Sequence, residues 1–439
     1  MFRLRAPIVL PCDPSCGVVR DGVVDVDAAG RLGYVGPSAG APATDAPVRS
    51  LEGILMPGMV NTHAHSPMTV LRGMGGDLPL LRWLREVIWP AEAKLTPSDI
   101  EAGMVLGSVE MLRGGITTSV EQYFQPDSVI RAVLATGGRM VLGPAIVDAA
   151  GWSWRAQLDE VSARIDVDGR QPHDRVEIGY GPHAAYTLTP EALTTIAEAA
   201  RARDALLLIH VAESRGEDAA QRASHGSVPR LLSSVGLLGG RVLAAHSVHL
   251  SDEDIDIFAA DGVGVAHCPG SNAKLASGIA RVTALRAAGV PVGLGTDGPA
   301  SNDDLDLWEE MRLTALFARL STMDSAALTA ADVLLMATRG GAEALGRTDI
   351  GELAEGRWAD VVHVGTSTEA FAAGLSVPDE HLLANLVWAA GARNVRDVWV
   401  GGEQVVANHE PTKVDREKAQ AQAGAVTARL RGQPLLANS

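Results

Sequence analysis

The 439-residue chain is 46% hydrophobic and carries a formal net charge of -16. This size and apolar content favour one large buried core with a smaller satellite over a string of small domains. An acidic surface lacks the basic patches that nucleic acids and anionic membranes require, so we expect neither as a partner. No stretch approaches the ~20 consecutive apolar residues of a membrane span. The N-terminus has no signal-peptide pattern, so a cytoplasmic protein is the default expectation.

Residues 1–56 contain short strand-like pieces, such as 17–26, interrupted by Gly, Pro and Asp. This pattern is typical of small β structure. Cys12 and Cys16 lie in this segment, while Cys268 is far away and no second closely spaced pair follows. Three sparse cysteines do not form a disulfide framework, so we expect ordinary thiols.

Eight short apolar segments that end in polar residues are predicted to be β-strands. In chain order they cover residues 54–60, 115–120, 139–147, 176–180, 205–209, 241–245, 263–266 and 290–294. Amphipathic helical segments lie between them. The helix predicted at 190–203 has Thr189 as a suitable N-cap and Pro190 at its first position.

This alternation of strands and helices predicts an α/β fold, a (β/α)8 TIM-like barrel. An open doubly wound sheet is the alternative, but such a sheet binds its ligand at a switch point between two strands. Here polar residues follow all eight predicted strands. A barrel gathers those ends at its C-terminal face, which is where active sites of this architecture lie.

The pattern of short strands returns near the C-terminus, where a Gly-Gly turn at 401–402 predicts a β-hairpin. The last residues are rich in Ala, Arg and Gln, which favours a helix over 415–430. We therefore predict three parts: a small β-sandwich domain from residues 1–56 and 358–410, a metal-dependent barrel at 57–357 and a helical tail at 411–439.

Histidines and a carboxylate end several of the predicted strands. His63 and His65 are two residues apart, so their side chains point to the same face of a strand and can reach one ion. The pair alone is a weak signal, because structural histidines have the same spacing. His210, His246 and Asp297 end further strands at the same level of the predicted barrel. We predict His63, His65, His210 and Asp297 as metal ligands, a set that suits zinc and also iron or manganese.

Two neighbouring residues suit a hydrolytic reaction. Glu213 follows His210 by three residues and could deliver a proton to a substrate ring nitrogen, although a helix N-terminus also favours glutamate there. His246 could orient or deprotonate a water, with a structural core histidine as the alternative. A metal lowers the pKa of water from about 15.7 toward ~7, and Asp297 can pass a proton to the leaving group. We therefore predict Glu213, His246 and Asp297 as catalytic residues.

These residues lie in motifs that resemble the amidohydrolase superfamily over nearly the whole chain. The motifs are PGMVNTHAH at 57–65, MTVLRG at 68–73, GPH at 181–183, HVAE at 210–213, AHSVHL at 245–250, PGSNAKL at 269–275 and GTDG at 295–298. Within the superfamily, the chain resembles the branch that includes S-adenosylhomocysteine and 5'-methylthioadenosine deaminases and triazine chlorohydrolases.

The resemblance implies one divalent metal per subunit. Binuclear relatives bridge their two metals with a carboxylated lysine from strand three or four. This chain has no lysine between Lys94 and Lys274, so the bridge is missing here. The resemblance also implies the ligand and proton-transfer roles predicted above, with zinc as the preferred ion.

The resemblance further implies substrate contacts. Glu92 falls at the position of a glutamate that holds ribose hydroxyls, although a helix-start carboxylate is an equal alternative. His183 matches a histidine that faces the purine. Trp83 could pack against a ring, and ordinary core packing is its alternative.

The chain departs from this branch near strand three. The adenosine-type enzymes carry an arginine near the end of that strand, where this chain reads Gly-Pro-Ala at 143–145. Arg155, in the following loop, is the candidate replacement and a predicted substrate contact. The loop at 151–154 is rich in tryptophan and is predicted to form an apolar lid.

We therefore expect a metal-dependent aminohydrolase of a nitrogen heterocycle, with an adenine nucleoside such as S-adenosylhomocysteine, 5'-methylthioadenosine or adenosine as the leading substrate. The same residues could instead serve a triazine-type chlorohydrolase, an N-dealkylating hydrolase, or a deaminase of guanine or a pterin. A non-catalytic binding module is the rival from another class, but such relatives lose a ligand or the acid, and every expected group is present. We also expect a homo-oligomer.

Overall fold

Alternating strands and helices make up most of the computed structural model, which describes residues 1–149 and 151–432. The strands are β1 (Phe2–Val9), β2 (Val19–Val26), β3 (Leu32–Pro37), β4 (Val48–Ser50), β5 (Ile54–Pro57), β6 (Met59–Ala64), β7 (Ile116–Tyr123), β8 (Arg139–Ile146), β9 (Val176–Ile178), β10 (Gly181–Pro182), β11 (Leu207–Val211), β12 (Val242–His246), β13 (Gly264–His267), β14 (Val292–Leu294), β15 (Val361–Val364), β16 (Val395–Val400), β17 (Glu403–Ala407) and β18 (Glu410–Pro411). The helices are α1 (Leu80–Trp83), α2 (Trp89–Glu92), α3 (Pro97–Arg113), α4 (Pro126–Thr136), α5 (Trp154–Asp168), α6 (Pro190–Ala202), α7 (Arg215–His225), α8 (Val228–Ser234), α9 (Asp252–Asp261), α10 (Pro269–Lys274), α11 (Val282–Ala287), α12 (Leu307–Thr322), α13 (Ala330–Ala337), α14 (Arg339–Ala344), α15 (Asp379–Ala384) and α16 (Arg416–Arg431).

Strands β6 to β14 form a closed parallel barrel. One sheet contains β6, β7, β8 and β10, with β9 also beside β8, and a second contains β11 to β14 in chain order. Parallel bridges close both seams: Ala64 with Asp297 at one, and Tyr180 with Leu207 at the other. Because β9 and β10 together occupy the fourth position, the barrel has eight strands, and the predicted (β/α)8 fold is confirmed.

Several strands extend further toward the C-terminal face than the sequence predicts. Strand β7 continues to Tyr123, three residues beyond its predicted end, and β11 includes His210. His246 is likewise paired within β12, opposite Val211 of β11. A polar side chain at the barrel mouth does not interrupt the backbone hydrogen bonds of its strand, so side-chain polarity marks the strand end too early.

Strands from the two ends of the chain form a separate nine-stranded sheet. Its order is β18, β17, β16, β15, β5, β1, β2 and β3, with β4 beside β1. Strand β5 connects the two halves, because it pairs with β1 from the N-terminal half and with β15 from the C-terminal half. The predicted hairpin at 401–402 is the antiparallel pair β16 and β17. All three cysteines are buried and free.

Two predicted helices are observed almost at their predicted limits. Thr189 caps α6 by accepting a hydrogen bond from Ala192 N, as the sequence indicates. Helix α16 corresponds to the predicted tail helix, and residues 433–439 of that tail lie outside the described residues. The Thr427 hydroxyl on α16 donates to Val70 O at 2.8 Å, which supports the segment that follows His65. Among the described helices, none is long and apolar enough to cross a membrane.

Candidate metal and catalytic centre

Four side chains converge at the C-terminal mouth of the barrel. His63 Nε2 lies 3.5 Å and His65 Nε2 lies 3.3 Å from Asp297 Oδ1. His210 Nε2 lies 3.4 Å from His65 Nε2. Strand β6 contains His63 and ends just before His65, β11 contains His210, and Asp297 follows β14. The structure therefore brings the four predicted ligands to one point.

Left-handed backbone directs two of the side chains at this mouth. His246 has φ 66° and Asp297 has φ 59°, a region that residues other than glycine rarely occupy. Asp297 N donates to His63 O at 2.9 Å, which ties this strained residue to β6. A Cβ atom at Gly295 would lie 2.9 Å from His63 Cβ, so only glycine allows so close an approach. Strain of this kind persists where the surrounding structure holds it, as at functional sites.

The outer hydrogen bonds of two rings determine which nitrogen faces the centre. His65 Nδ1 lies 2.6 Å from Gln122 O, and His210 Nδ1 lies 2.7 Å from His183 O. A carbonyl oxygen only accepts, so both Nδ1 atoms carry hydrogen. Each Nε2 is then the position left for a proton or a metal ion. Because the two Nε2 atoms face each other, a shared cation is the partner that satisfies both.

The spacing of the donor atoms fits a divalent metal ion. Ligand atoms held tetrahedrally at about 2.0–2.1 Å from zinc lie about 3.4 Å from one another, which matches the separations at Asp297 Oδ1 and His65 Nε2. His63 Nε2 is buried and has no hydrogen-bond partner within the described part of the chain. Two overlapping donor groups each lie within 4.8 Å: His63, His210 and His246, and His63, His65 and Asp297.

Burial and the Asp297 carboxylate control protonation at the centre. Burial lowers the pKa of His63 to about 4. Burial also opposes a charge on His65, but the hydrogen bond and negative charge of Asp297 outweigh it and raise the pKa of His65 to about 9. Burial would raise the pKa of Asp297, yet the His63 and His65 imidazoles beside its carboxylate hold it well below its usual value. Metal binding must therefore displace a proton held between His65 and Asp297.

Two hydroxyl groups hold the second oxygen of Asp297. Ser271 Oγ on α10 donates to Asp297 Oδ2 at 2.6 Å, and Ser301 Oγ donates to the same atom at 2.9 Å. Helix α10 is held in turn by buried Glu310, whose Oε2 accepts from Gly270 N at 2.9 Å. These bonds leave Asp297 Oδ1 directed at the histidines.

Glu213 and His246 lie side by side next to the four ligand candidates. His246 Nε2 is 3.9 Å from Glu213 Oε2, while His246 Nδ1 lies 2.9 Å from Asn272 Oδ1. Because that amide oxygen accepts, Nδ1 carries hydrogen and Nε2 of the neutral ring is free to accept a proton. Burial raises the pKa of Glu213. Glu217 Oε2 accepts from Glu213 N at 2.9 Å and fixes this turn. A buried glutamate beside a histidine can exchange protons with a bound substrate and with that histidine.

Glu92 and His183 lie at the edge of the centre. In the described residues, Glu92 Oε1 is buried without a hydrogen-bond partner. Burial raises the pKa of Glu92 to about 7, and the nearby Tyr123 hydroxyl and His65 oppose that rise. The His183 ring lies 4.8 Å from the His210 ring, and burial with neighbouring imidazoles lowers its pKa to about 3. The edge therefore offers an acceptor and a neutral aromatic ring.

The structure does not bring the other two predicted substrate residues to this centre. Trp83 is 5% exposed, and its indole N–H donates to Met74 O at 3.2 Å, because α1 turns it into the apolar core. Arg155 is exposed near the start of α5, where its Nη2 donates to Glu191 Oε1 at 2.6 Å and its guanidinium lies 4.1 Å from the Trp154 ring. As substrate contacts, both remain untested predictions.

The sequence reading did not single out several residues that shape the centre. Gln122 and Tyr123 carry the same signal as the histidines, polar residues at a strand end, but the predicted end at 120 excluded them. Ser271 and Asn272 stand in the PGSNAKL motif. Their partners, Asp297 and His246, are each 26 residues away, and no local pattern connects them.

Comparison with known proteins agrees with this geometry. The model of the Amidohydrolase family matches residues 54–405. The 5-methylthioadenosine/S-adenosylhomocysteine deaminase of Pelotomaculum thermopropionicum is 41% identical over 431 residues, which cover 97% of this chain and 98% of the relative.

Two similar solved structures contain zinc. An adenosine deaminase from Xanthomonas campestris with bound zinc has a TM-score of 0.91 and 36% identity, covering 98% of this chain and 99% of that chain. An atrazine chlorohydrolase from Arthrobacter aurescens complexed with zinc has a TM-score of 0.88 and 26% identity, covering 97% of this chain and 100% of that chain. The histidine cluster and these neighbours together support a divalent-metal site.

Proposed function

The chain belongs to the amidohydrolase family, and on that premise we propose that it is a metal-dependent deaminase of adenine nucleosides. The observation that carries this proposal is the pairing of Glu213 with His246 at 3.9 Å, beside a cluster of three histidines and one aspartate. The nearly full-length relative named as a 5-methylthioadenosine/S-adenosylhomocysteine deaminase and the similar adenosine deaminase support the substrate class.

We assign one divalent ion per subunit to His63, His65, His210 and Asp297, with zinc preferred over iron and manganese. His246 is the alternative ligand, since it belongs to the second donor group. Its bond to Asn272 and its approach to Glu213 favour a proton-transfer role. When bound, the ion would supply Lewis acidity that lowers the pKa of water from about 15.7 toward ~7.

The chain's own groups account for the proton transfers of deamination. His246 Nε2 accepts a proton from the water that attacks the amino-bearing carbon. Glu213 carries a proton to the adjacent ring nitrogen. Asp297 accepts the remaining proton of the attacking oxygen and passes it to the departing amine, which leaves as ammonia. His246 returns its proton to Glu213, 3.9 Å away, which restores both groups for the next turnover.

Two further residues would orient the nucleoside. The Oε1 atom of Glu92, which has no hydrogen-bond partner among the described residues, is suited to accept hydrogen bonds from ribose hydroxyls. The neutral ring of His183, next to His210, is suited to face the purine. A site of this kind discriminates through polar groups that only the correct substrate satisfies.

One experiment separates this function from its alternatives. Zinc-supplemented protein is offered adenosine, 5'-methylthioadenosine and S-adenosylhomocysteine, and ammonia release is measured with the ultraviolet change from adenine to hypoxanthine. We expect stoichiometric metal and turnover of at least one of these nucleosides. Metal-loaded protein that releases no ammonia from any of them would overturn the proposal. Turnover of a chlorotriazine, guanine or a pterin in their place would favour the alternatives that the similar atrazine chlorohydrolase represents.

A further inference from the structure

A cavity of about 110 Å³ lies beside the catalytic centre, at the C-terminal ends of β7 and β8. Phe124 and Trp152 form an aromatic wall, with ring centroids 4.8 Å apart. Tyr123 belongs to both regions, because its ring lines the cavity and its side chain lies next to Glu92. The cavity is smaller than the roughly 300 Å³ of a typical small-molecule pocket. It can therefore hold the end of a substrate whose base and ribose occupy the centre.

Two buried hydrogen-bond donors in the cavity wall have no partner within residues 1–149 and 151–432: Gln157 Nε2 and Arg164 Nε. The amide of Gln157 is oriented by its other atom, since Oε1 accepts from Val147 N at 2.8 Å. Arg164 uses Nη2 to pair with Asp127 Oδ1 at 2.8 Å, which leaves Nε available. Buried donors without partners are costly and rare. A ligand group with acceptor oxygens would satisfy both donors.

Three polar residues of the wall lie on one face of α5. Gln157, Glu160 and Arg164 are spaced i, i+3 and i+7, which places them on the same side of a helix. They present an amide donor, a carboxylate and a guanidinium. The carboxylates of Glu160 and of nearby Asp127 disfavour a phosphate dianion, whereas a group with both charges suits all three side chains.

The donors of Gln157 and Arg164 come from one side of the cavity. At the end of the third barrel strand, β8, the lining consists of Pro144 and Ala145, which offer no side-chain donor. The donors in this chain come from α5 on the other side of the cavity. Arg155, the replacement suggested by sequence, points instead to Glu191 at the surface.

We propose that Gln157, Glu160 and Arg164 form a subsite for the zwitterionic amino-acid end of the substrate. The donors of Gln157 and Arg164 bind the carboxylate, and Glu160 pairs with the ammonium group. Phe124 and Trp152 contact the carbon and sulfur chain between them. Resting on the proposed deaminase function, this subsite makes S-adenosylhomocysteine the preferred substrate over nucleosides that lack the amino-acid end.

The test compares S-adenosylhomocysteine with 5'-methylthioadenosine, which share the base, ribose and thioether. Gln157→Glu keeps the acceptor for Val147 N and removes the donor, and Arg164→Gln removes the guanidinium. Each substitution is expected to raise KM for S-adenosylhomocysteine about 10- to 100-fold, as for a lost hydrogen bond to a charged group. kcat/KM for 5'-methylthioadenosine should stay within about threefold, which also shows that the variant is folded.

Two matched variants separate binding from structure. Asp127→Asn removes the ion-pair partner of Arg164 but leaves Nε in place, and Arg131→Gln removes an exposed arginine of α4 that pairs with Glu101. Neither should raise KM for S-adenosylhomocysteine. Glu160→Gln, at an exposed position, should raise KM for S-adenosylhomocysteine. It should not change KM for N-acetyl-S-adenosylhomocysteine, because that derivative has no ammonium group for Glu160 to bind.

Three outcomes would overturn the subsite. The first is an equal fall in kcat/KM for both S-adenosylhomocysteine and 5'-methylthioadenosine in Gln157→Glu and Arg164→Gln. The second is a wild-type protein whose kcat/KM is the same for S-adenosylhomocysteine, its methyl ester and 5'-methylthioadenosine. A preference for adenosine 5'-monophosphate would identify a phosphate site instead. Failure of the deaminase function is distinguishable, because no adenine nucleoside would then react, while calorimetric titration of zinc-loaded protein with S-adenosylhomocysteine still measures the subsite.

Discussion

At the scale of single residues, the centre depends on how each functional atom is oriented. His65, His210 and His246 each have an outer nitrogen bonded to an oxygen acceptor, so each presents Nε2 to the interior. Partners of this kind orient metal ligands and are nearly as important as the ligands themselves. Glu213 lies beside His246, at 3.9 Å, in position to exchange a proton with it.

Replacement of Glu213 tests its proton-transfer role. Glu213→Gln keeps the size of the side chain but cannot deliver and recover a proton. We expect kcat for the best nucleoside to fall about 10²- to 10⁴-fold, with metal content unchanged because Glu213 is in neither donor group. Steady-state kinetics and metal analysis measure both. Glu198→Gln, on the exposed side of α6, is the control, and a fall in kcat smaller than about tenfold would contradict the role.

The pH dependence of KM tests Glu92. Burial raises the pKa of its carboxyl to about 7, so the ionised acceptor form grows from a minor to a major fraction between about pH 6 and pH 8. KM for adenosine should therefore decrease several-fold as the pH rises through this range. Glu92→Gln cannot ionise and should show a higher KM without this decrease. An identical pH profile in the two proteins would refute the assignment.

At the scale of elements, helix α10 orients one of the four ligand candidates, Asp297, without contributing a ligand itself. Its Ser271 bonds Asp297 Oδ2, and its first turn is held by Glu310 of α12. A Cβ atom at Gly270 would lie 2.4 Å from Glu310 Oε1, so the helix can approach this closely only with glycine there. Helix α10 and the loop carrying Ser301 therefore each donate one hydrogen bond to Asp297 Oδ2, and we call this pair of hydrogen bonds the clamp.

Removal of either hydroxyl tests this clamp. Ser271→Ala and Ser301→Ala leave Asp297 Oδ2 with one donor instead of two, so Oδ1 is held less firmly toward the histidines. Each should weaken metal affinity about 10- to 100-fold, measured by competition with a chromophoric chelator. Ser277→Ala is the matched control, because within the described residues its buried Oγ has no hydrogen-bond partner. Unchanged affinity in both variants would show that the clamp does not act on the metal.

At the scale of the whole molecule, a buried ion pair joins the barrel to the terminal sheet. Arg139 at the start of β8 donates to both oxygens of Asp360, at 2.9 and 3.1 Å, and Asp360 also accepts from Gly401 N at 2.7 Å. The two side chains are 1% and 3% exposed. This contact lies at the end of the barrel away from the catalytic mouth, where residues of a barrel contribute to stability and not to catalysis.

Breaking this pair tests how far the two parts depend on each other. Asp360→Ala leaves a buried guanidinium without its partner and should destabilise the protein by about 3–5 kcal/mol, seen as a lower thermal midpoint. The double variant Arg139→Met with Asp360→Leu should lose less, since no buried charge is left unpaired. Glu86→Ala removes an exposed pair with Arg82 and should leave the midpoint nearly unchanged. Equal losses in the single and double variants would argue against the ion-pair explanation.

The order of elements and the convergence of the four ligand candidates were predictable because both depend on local patterns. Alternating apolar strands and amphipathic helices specify a barrel through the burial that each element requires. The His63–His65 spacing and the positions of His210 and Asp297 at strand ends are properties of short segments. A barrel brings such ends together at one face, so four residues far apart in sequence could be placed at one centre.

Other features were decided only by the tertiary structure, because they depend on the direction of a side chain between distant elements. Whether Trp83 faces the core or the mouth, and whether Arg155 or Arg164 faces the cavity, depends on how α1 and α5 are rotated against the barrel. The bonds that orient Asp297 and His246 come from α10, which no local pattern connects to them. The sequence alone therefore determined the barrel and the four residues that the structure brings to one point. Only packing decided which atoms orient them and which residues line the cavity beside them.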